Sequence, residues 1–350
     1  MELIPINEKI TIYTLAEELS MTPSMVSRAF NPIAKIAADK RKAVLEKAAE
    51  YGFSPNKFAS RLSMKTVKIG ILTVYKAQHV KDGLLRGFRM AFDVLRDYKI
   101  EYTVTEIEAS KKSAHMCREE LFALSDCDGV ILSGFGSSMC RELLCEFSEI
   151  NPNIVFVQNV CENVPFLFAS RHNEALAAKI AANLLAERLH FKERKNILIL
   201  TGDRTSSVHR HCFDAFTEYA KKFGLTVVSD FDMKDRDDIL SEYMEGDFKA
   251  IDGEIDGIYI TSGNSKPLCE ALKRRGSDIS LVCTDVNSSV SEYIQDGTVF
   301  ASICQNFEKQ ARTAFETLAK YLLGKEITEK IAETEVMPVL RANLELYRNK

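Results

Sequence analysis

No glycine-rich GxGxxG or GxxxxGKS loop follows a strand-like run in this 350-residue sequence, and GFG at Gly134 to Gly136 is too short to act as one. That excludes a dinucleotide or nucleoside triphosphate site, and no cofactor is expected. The nine cysteines include no CxxC pair, so they read as reduced thiols rather than disulfides or a zinc site. His209, His211 and Cys212 form the one tight His/Cys group, and no second ligand cluster stands at metal-site spacing. No apolar segment is long enough to span a bilayer, and Glu2, Asn7, Glu8 and Lys9 interrupt any leader-like run, so a cytoplasmic protein without a membrane partner is expected. A nucleophile with a paired base is also missing. His209 near Ser206 and Ser207 comes nearest, and the expectation is a protein that is not an enzyme.

Charge is present but uneven. Residues 1–66 hold ten Lys/Arg against seven Asp/Glu, a net of +3, which leaves −7 for the remainder of a chain whose total is −4. A basic head on an acidic body fits a polyanion partner at one end.

The most informative stretch is TIYTLAEELSMTPSMVSRAFN, residues 11–31. Leu15 and Leu19 stand one helical turn apart, as do Val26 and Phe30, which predicts two short amphipathic helices that bury their apolar stripes on a neighbour. Thr22 before Pro23 reads as an N-cap with proline at the first helical position. Ser24, Ser27, Arg28 and Asn31 fall at i, i+3, i+4 and i+7, so hydroxyl, guanidinium and amide groups share one face. Such a face suits the floor of a DNA major groove, and the pair reads as a helix-turn-helix. A third helix is expected over Asp39 to Tyr51, with Val44, Leu45, Ala48 and Tyr51 inward and Gly52 terminating it. The following NKFASRLSMK is too brief to be a stable helix alone.

This order of residues resembles the lactose-repressor (LacI) family of bacterial transcription regulators, carried by TIYTLAEELSMTPSMVSRAFN, YGFSPN and ASRL. The resemblance implies that Ser24, Ser27, Arg28 and Asn31 read bases or hold phosphates. Pro23 matches a base-reading position where this chain has no polar group, and Thr11, Tyr13 and Asn56 match backbone-contacting positions. Leu62 matches a hinge-helix leucine wedged into the minor groove, with Ala59 packed beside it. Two departures stand out. Ser20 occupies a turn position where glycine is common, and Met25 replaces a threonine that often touches phosphate.

From residue 67 onward, the apolar runs VKIGILTV, IEYTVTEI, DGVILSG, NIVFVQNV, KNILILTG, TVVSDF, DGIYITSG and SLVCTD alternate with helical patterns. That alternation predicts an α/β body with parallel sheets covered by helices on both faces. Eight such strands fit one large sheet, but the family resemblance implies a two-lobed core of the type I periplasmic-binding-protein kind, with the ligand between the lobes. Residues 299–323 continue into a long amphipathic helix, and ETEVMPVLRANLELY suggests a late strand. The expected division is a helix-turn-helix domain at 1–52, a hinge at 53–66, an N-terminal lobe at 67–168 and 300–328, and a C-terminal lobe with tail at 169–299 and 329–350.

Ligands of open α/β sheets bind beyond the carboxyl ends of strands. There the resemblance implies ligand contacts for Asp285, Gln305 and Phe307. Gln158 stands where an aspartate is frequent, Asn173 lies near another polar ligand position, and Tyr75 follows the first strand. Many members place an arginine where this chain has Cys212; Arg210, two residues earlier, does not share its helix face and reaches ligand only from a loop before the helix. Carboxylate, amides and aromatic rings suit a polyhydroxylated ligand. The expectation is a regulator, a repressor in its logic, that binds a pseudo-palindromic operator in double-stranded DNA as a homodimer under control of a sugar-like effector. The alternative is a solute-binding protein of a sugar transporter.

Overall fold

The computed structural model describes residues 10–30, 34, 36–53, 66–111, 113–136 and 140–347. In the head, α1 (Ile12–Glu18), α2 (Pro23–Ala29) and α3 (Ala38–Glu50) pack around Leu15, Ala16, Val26, Ala29, Val44 and Ala48. The side chain of Thr22 accepts the Met25 N–H, and Pro23 opens α2, the cap that the Thr-Pro pair specifies. Arg41 of α3 donates to the carbonyls of Ala29 and Ala34 at 3.2 and 2.7 Å, satisfying an orphan carbonyl at the end of α2. Leu45, expected on the inner face of α3, is instead 45% exposed. Val44 and Ala48, one turn apart, already fill the narrow seam of so small a bundle, and Leu45 falls about 100° away from Val44.

α1 and α3 end alike. After α3, Gly52 takes φ +58°, and the Phe53 N–H closes onto the Ala48 carbonyl at 2.8 Å. After α1, Ser20 takes φ +50°, and the Met21 N–H closes onto the Ala16 carbonyl, also at 2.8 Å. This is the same left-handed helix stop, built with glycine once and with serine once. Relief of the Cβ clash at Ser20 is worth about 1 kcal/mol. Ser20→Gly is therefore expected to slow amide hydrogen exchange across α1 and α2 about five-fold, as read by mass spectrometry of the full chain. An unchanged rate would show that Ser20 is not strained.

In the body, the chain runs β1 (Val67–Tyr75), α4 (Gln78–Leu95), β2 (Ile100–Glu108), α5 (Ala114–Phe122), β3 (Gly129–Ser133), α6 (Arg141–Ile150), β4 (Ile154–Val157) and β5 (Phe168–His172). It continues through α7 (Glu174–Arg188), β6 (Asn196–Thr201), α8 (Ser207–Ala220), β7 (Thr226–Asp232), α9 (Asp237–Glu245), α10 (Phe248–Ile251) and β8 (Gly257–Ile260). The last part is α11 (Lys266–Arg275), β9 (Ser280–Thr284), α12 (Ser288–Asp296), β10 (Ala301–Cys304), α13 (Phe307–Leu322), β11 (Ile331–Thr334) and β12 (Met337–Val339).

The strands form two sheets rather than one. The first has the order β11-β5-β4-β3-β1-β2, and the second has the order β12-β10-β9-β8-β6-β7. Pairing is parallel throughout except for β12, which runs antiparallel to β10. β3, β4, β8 and β9 are buried along their whole length, as continuous apolar strands covered on both faces must be. β2 and β7 lie at sheet edges and are partly exposed along their length, β7 alternating between exposed and half-buried residues over most of its run.

Strands β5, β10 and β11 are additional to the eight apolar runs. β5, FASRH, carries serine, arginine and histidine, so its burial is invisible to an apolarity criterion. These strands also locate the passages between sheets. The chain leaves the first sheet after His172, re-enters that lobe after Cys304 and leaves it again after Thr334, a few residues beyond the boundaries expected at 168, 299 and 328. Each crossing strand completes its pairing before the chain changes lobe. β12 is brief, and a 3₁₀ turn over Arg341–Leu346 follows it.

Close packing of α13 on α4 depends on Gly87. A Cβ there would lie 2.2 Å from the Glu308 carbonyl oxygen, closer than any backbone contact permits. This contact fixes the start of α13, whose first residue, Phe307, belongs to the site.

Candidate functional site

The carboxyl ends of both sheets face one cavity of about 380 Å³. The first sheet contributes Tyr75 beyond β1, Gly134 beyond β3 and Gln158 beyond β4. The second contributes Asp203 beyond β6, Thr261 to Asn264 beyond β8, Asp285 beyond β9 and Gln305 beyond β10. Such convergence follows from parallel strands, which all release their loops on one side.

Asp285 and Gln158 are held with φ of +65° and +71°, a left-handed conformation that non-glycine residues rarely adopt. Both remain tied to the ladders. The Asp285 N–H donates to the Ile303 carbonyl at 2.8 Å, and the Gln158 N–H to the Ser170 carbonyl at 3.0 Å. Gln305 Nε2 donates to Asp285 Oδ2 at 3.0 Å, while Oδ1 of this 4% exposed residue has no partner. Opposite, His79 Nε2 stands 3.9 Å from Oδ2, too far for a hydrogen bond, and is also buried without a partner. Buried polar atoms are normally satisfied, so two orphans on neighbouring residues that line one cavity mark where a ligand's polar groups belong. Phe307 lies 6.2 Å from the His79 ring.

A second set of groups bridges the lobes. Lys76, just past β1, donates to Asp235 Oδ2 at 2.7 Å. His209 of α8 places Nε2 3.4 Å from Asp235 Oδ1, and its Nδ1 is 2.8 Å from the Thr261 hydroxyl. Burial works to raise Asp235, but the His209 and Lys76 hydrogen bonds and charges outweigh it and hold the carboxyl well below the usual range. Both ring nitrogens of His209 are engaged, and neither pairs with Ser206 or Ser207. His172, 3% exposed on the cavity wall, is pushed down to about 3 by burial, with the Arg171 charge acting in the same direction. It therefore presents a neutral imidazole.

Of the residues expected to touch ligand, the cavity brings together Tyr75, Gln158, Asp285, Gln305 and Phe307. Asn173 is not among its walls. Its side chain caps α7 by accepting from the Leu176 N–H and donates to Glu333 at 2.7 Å. Arg210 is also elsewhere. It lies within α8, not in a loop before it, and donates to the carbonyls of Arg204 and Thr205 while exposed. The helix turns Val208, His209 and Cys212 toward the cavity, whereas His211 is exposed. Burial raises the Cys212 thiol to about 12, so the position to which the resemblance gives an arginine holds an uncharged wall.

The sequence does not point to His79, His172, Lys76 or Asp235, and it marks His209 only as the nearest base to a serine and as part of a tight His/Cys group. The strand-end rule, applied to KNILILTG and DGIYITSG, would have pointed to Asp203 and Thr261. Nothing local marks His79 or Asp235.

The comparisons with known proteins follow this architecture. A family model described as a periplasmic binding protein domain matches residues 163–326. The GanP crystal structure, a glucose-galactose binding protein from Geobacillus stearothermophilus, superposes with a TM-score of 0.71 at 16% identity, covering 80% of this chain and 99% of its own. The body has the type I periplasmic-binding-protein fold. In that fold, each lobe is one of the sheets above and the cavity is the interlobe cleft. Among curated sequences, the Lactose operon repressor of Escherichia coli (strain K12) is 23% identical over 344 residues, 91% of this chain and 86% of its own. The HTH-type transcriptional regulator pepR1 of Lactobacillus delbrueckii subsp. lactis is 24% identical over 251 residues, 71% of this chain and 72% of its own. Among the described residues, no helix is long and apolar enough to cross a membrane.

Proposed function

We propose that the chain is a ligand-controlled, DNA-binding transcriptional regulator of the LacI kind, a cytoplasmic repressor that acts as a homodimer on a pseudo-palindromic operator. The observation that carries this reading is the outer face of α2. Pro23, Ser24, Ser27 and Arg28 are all exposed, while Val26 and Ala29 on the opposite side are fully buried. A rigid helix with a polar, cationic front is the geometry of major-groove readout. Thr11 and Tyr13, exposed at the start of α1, suit contacts to the phosphate backbone. Asn31, Asn56, Ala59 and Leu62 lie outside the described residues. The relatives named as a repressor and as an HTH-type regulator support the same reading.

In this proposal, residues 1–52 form the DNA-binding domain, 53–66 form the hinge, and a small carbohydrate-like effector occupies the interlobe cleft. The effector acts only through different affinities for the two lobe arrangements. A second reading, a transporter's solute-binding protein, is favoured by the glucose-galactose binding protein among the structural neighbours, but that protein's own chain matches only 80% of this one. The uncovered fifth is close in size to the first 66 residues. Selection of the purified chain against a random duplex pool at physiological salt tests the choice, with and without candidate effectors. Enrichment of a two-fold symmetric site is expected. Failure to enrich any sequence in either form rejects the regulator reading.

A further inference from the structure

The charge of the cleft is one-sided. Asp203, Asp235 and Asp285 line it, and among the described lining residues Lys76 alone carries a fixed positive charge. Lys76 is committed to Asp235. Asp203 Oδ1 is occupied by the Thr205 N–H and hydroxyl, at 2.9 and 2.8 Å. Asp285 differs from both. It lines the cavity, is 4% exposed, holds one amide donor from Gln305 on Oδ2, and leaves Oδ1 without a hydrogen-bond partner; no lysine or arginine pairs with it, and the nearest basic group is the His79 imidazole at 3.9 Å. A buried carboxylate without a countercharge is costly, and a ligand cation that meets it gains a charge-assisted hydrogen bond.

We propose that the cleft takes an amino sugar, a ligand bearing a protonated amine beside hydroxyls, with the amine paired to the Asp285 carboxylate. The inference rests on the cleft being the effector site, and it specifies the effector's class. Gln158, His79 and neutral His172 supply groups for the hydroxyls, and Phe307 and Tyr75 supply apolar surface for a sugar ring. A phosphorylated sugar would bring an anion to carboxylates with no arginine to receive it. A free amino acid meets the same objection at its carboxylate. A neutral hexose fills the space but leaves the charge on Asp285 uncompensated.

The test is calorimetric titration of the full chain, at mildly acidic pH, with D-glucosamine, D-galactosamine and D-mannosamine, each beside its parent hexose and that hexose's 6-phosphate. At least one hexosamine is expected to bind about ten-fold more tightly than its parent, with no binding of any 6-phosphate. Asp285→Asn, a side chain that tolerates the left-handed backbone, is expected to fold and to reduce that preference to about one-fold. The inference is overturned if a parent hexose binds as tightly as its hexosamine, if a 6-phosphate binds, if no sugar binds, or if Asp285→Asn keeps the preference. None of these results bears on sequence-selective DNA binding, which the duplex selection reads separately. The choice of ligand class can therefore fail while the regulator reading stands, and the reverse also holds.

Discussion

Lowering the pH from 7 to 5 is expected to destabilise the body by about 2 kcal/mol through His172 alone. The folded protein resists protonation of this imidazole until about pH 3, because burial and the neighbouring Arg171 and His209 charges disfavour the cation. The unfolded chain takes up the proton near the ordinary value of 6.5. Stability from this group is therefore complete above pH 6.5 and is lost progressively as the pH falls toward 3. Two neighbours titrate in other ways. Burial raises Glu174, against the pull of Arg171, so its contribution grows as the pH falls. Asp235, held low, loses its contribution only on acidification below about pH 4.

The His172 share is isolated by His172→Phe, which keeps the ring's bulk but does not titrate. Urea unfolding of both proteins at pH 7 and pH 5 should show the wild type losing about 2 kcal/mol more than the variant. Equal losses would mean that the imidazole is hydrated or otherwise compensated. The same neutrality matters for binding, since His172 can offer ligand a hydrogen bond without adding positive charge to the cleft.

Arg28→Ala should lower specific operator affinity by about ten- to a hundred-fold per half-site, corresponding to roughly 1–3 kcal/mol for a lost base contact. The side chain is exposed on α2 and has no role in the head's core, so helix content and thermal stability should not change. Ligand binding by the body should also be unaffected. Mobility-shift titrations on the selected duplex and on a scrambled duplex separate the possibilities. A contact to a base edge lowers only the specific affinity, whereas a contact to phosphate lowers both and flattens the salt dependence. Unchanged affinity for the selected duplex would remove α2 from the interface.

Much of the head was legible because its determinants are local. Thr22 and Pro23 specify a helix start from adjacent atoms, and the exposed face of Ser24, Ser27 and Arg28 follows from helical spacing alone. The same applies to the covered parallel strands and to Asp285, which the strand-end rule and the family resemblance both indicate; Gln305 follows a strand the apolar runs do not mark, and the resemblance alone indicates it. Arg210 was harder to read, because which residue of α8 faces the cleft depends on where the helix begins. It begins at Ser207, which turns Cys212 inward and leaves Arg210 exposed. The resemblance puts Asn173 near a polar ligand position, yet the helix that starts beside it uses its side chain as a cap.

By itself the sequence determined the helix starts, the apolar strands, the basic head on an acidic body and the residue types that end the strands. All of these depend on neighbours a few positions apart. Only the tertiary structure decided that the strands divide into two sheets, and that Lys76 meets Asp235 across 159 residues of chain while His79 faces Asp285 from the other lobe. Pairings of that range depend on how the two sheets are set against each other, and the spacing of residues along the chain carries no record of it.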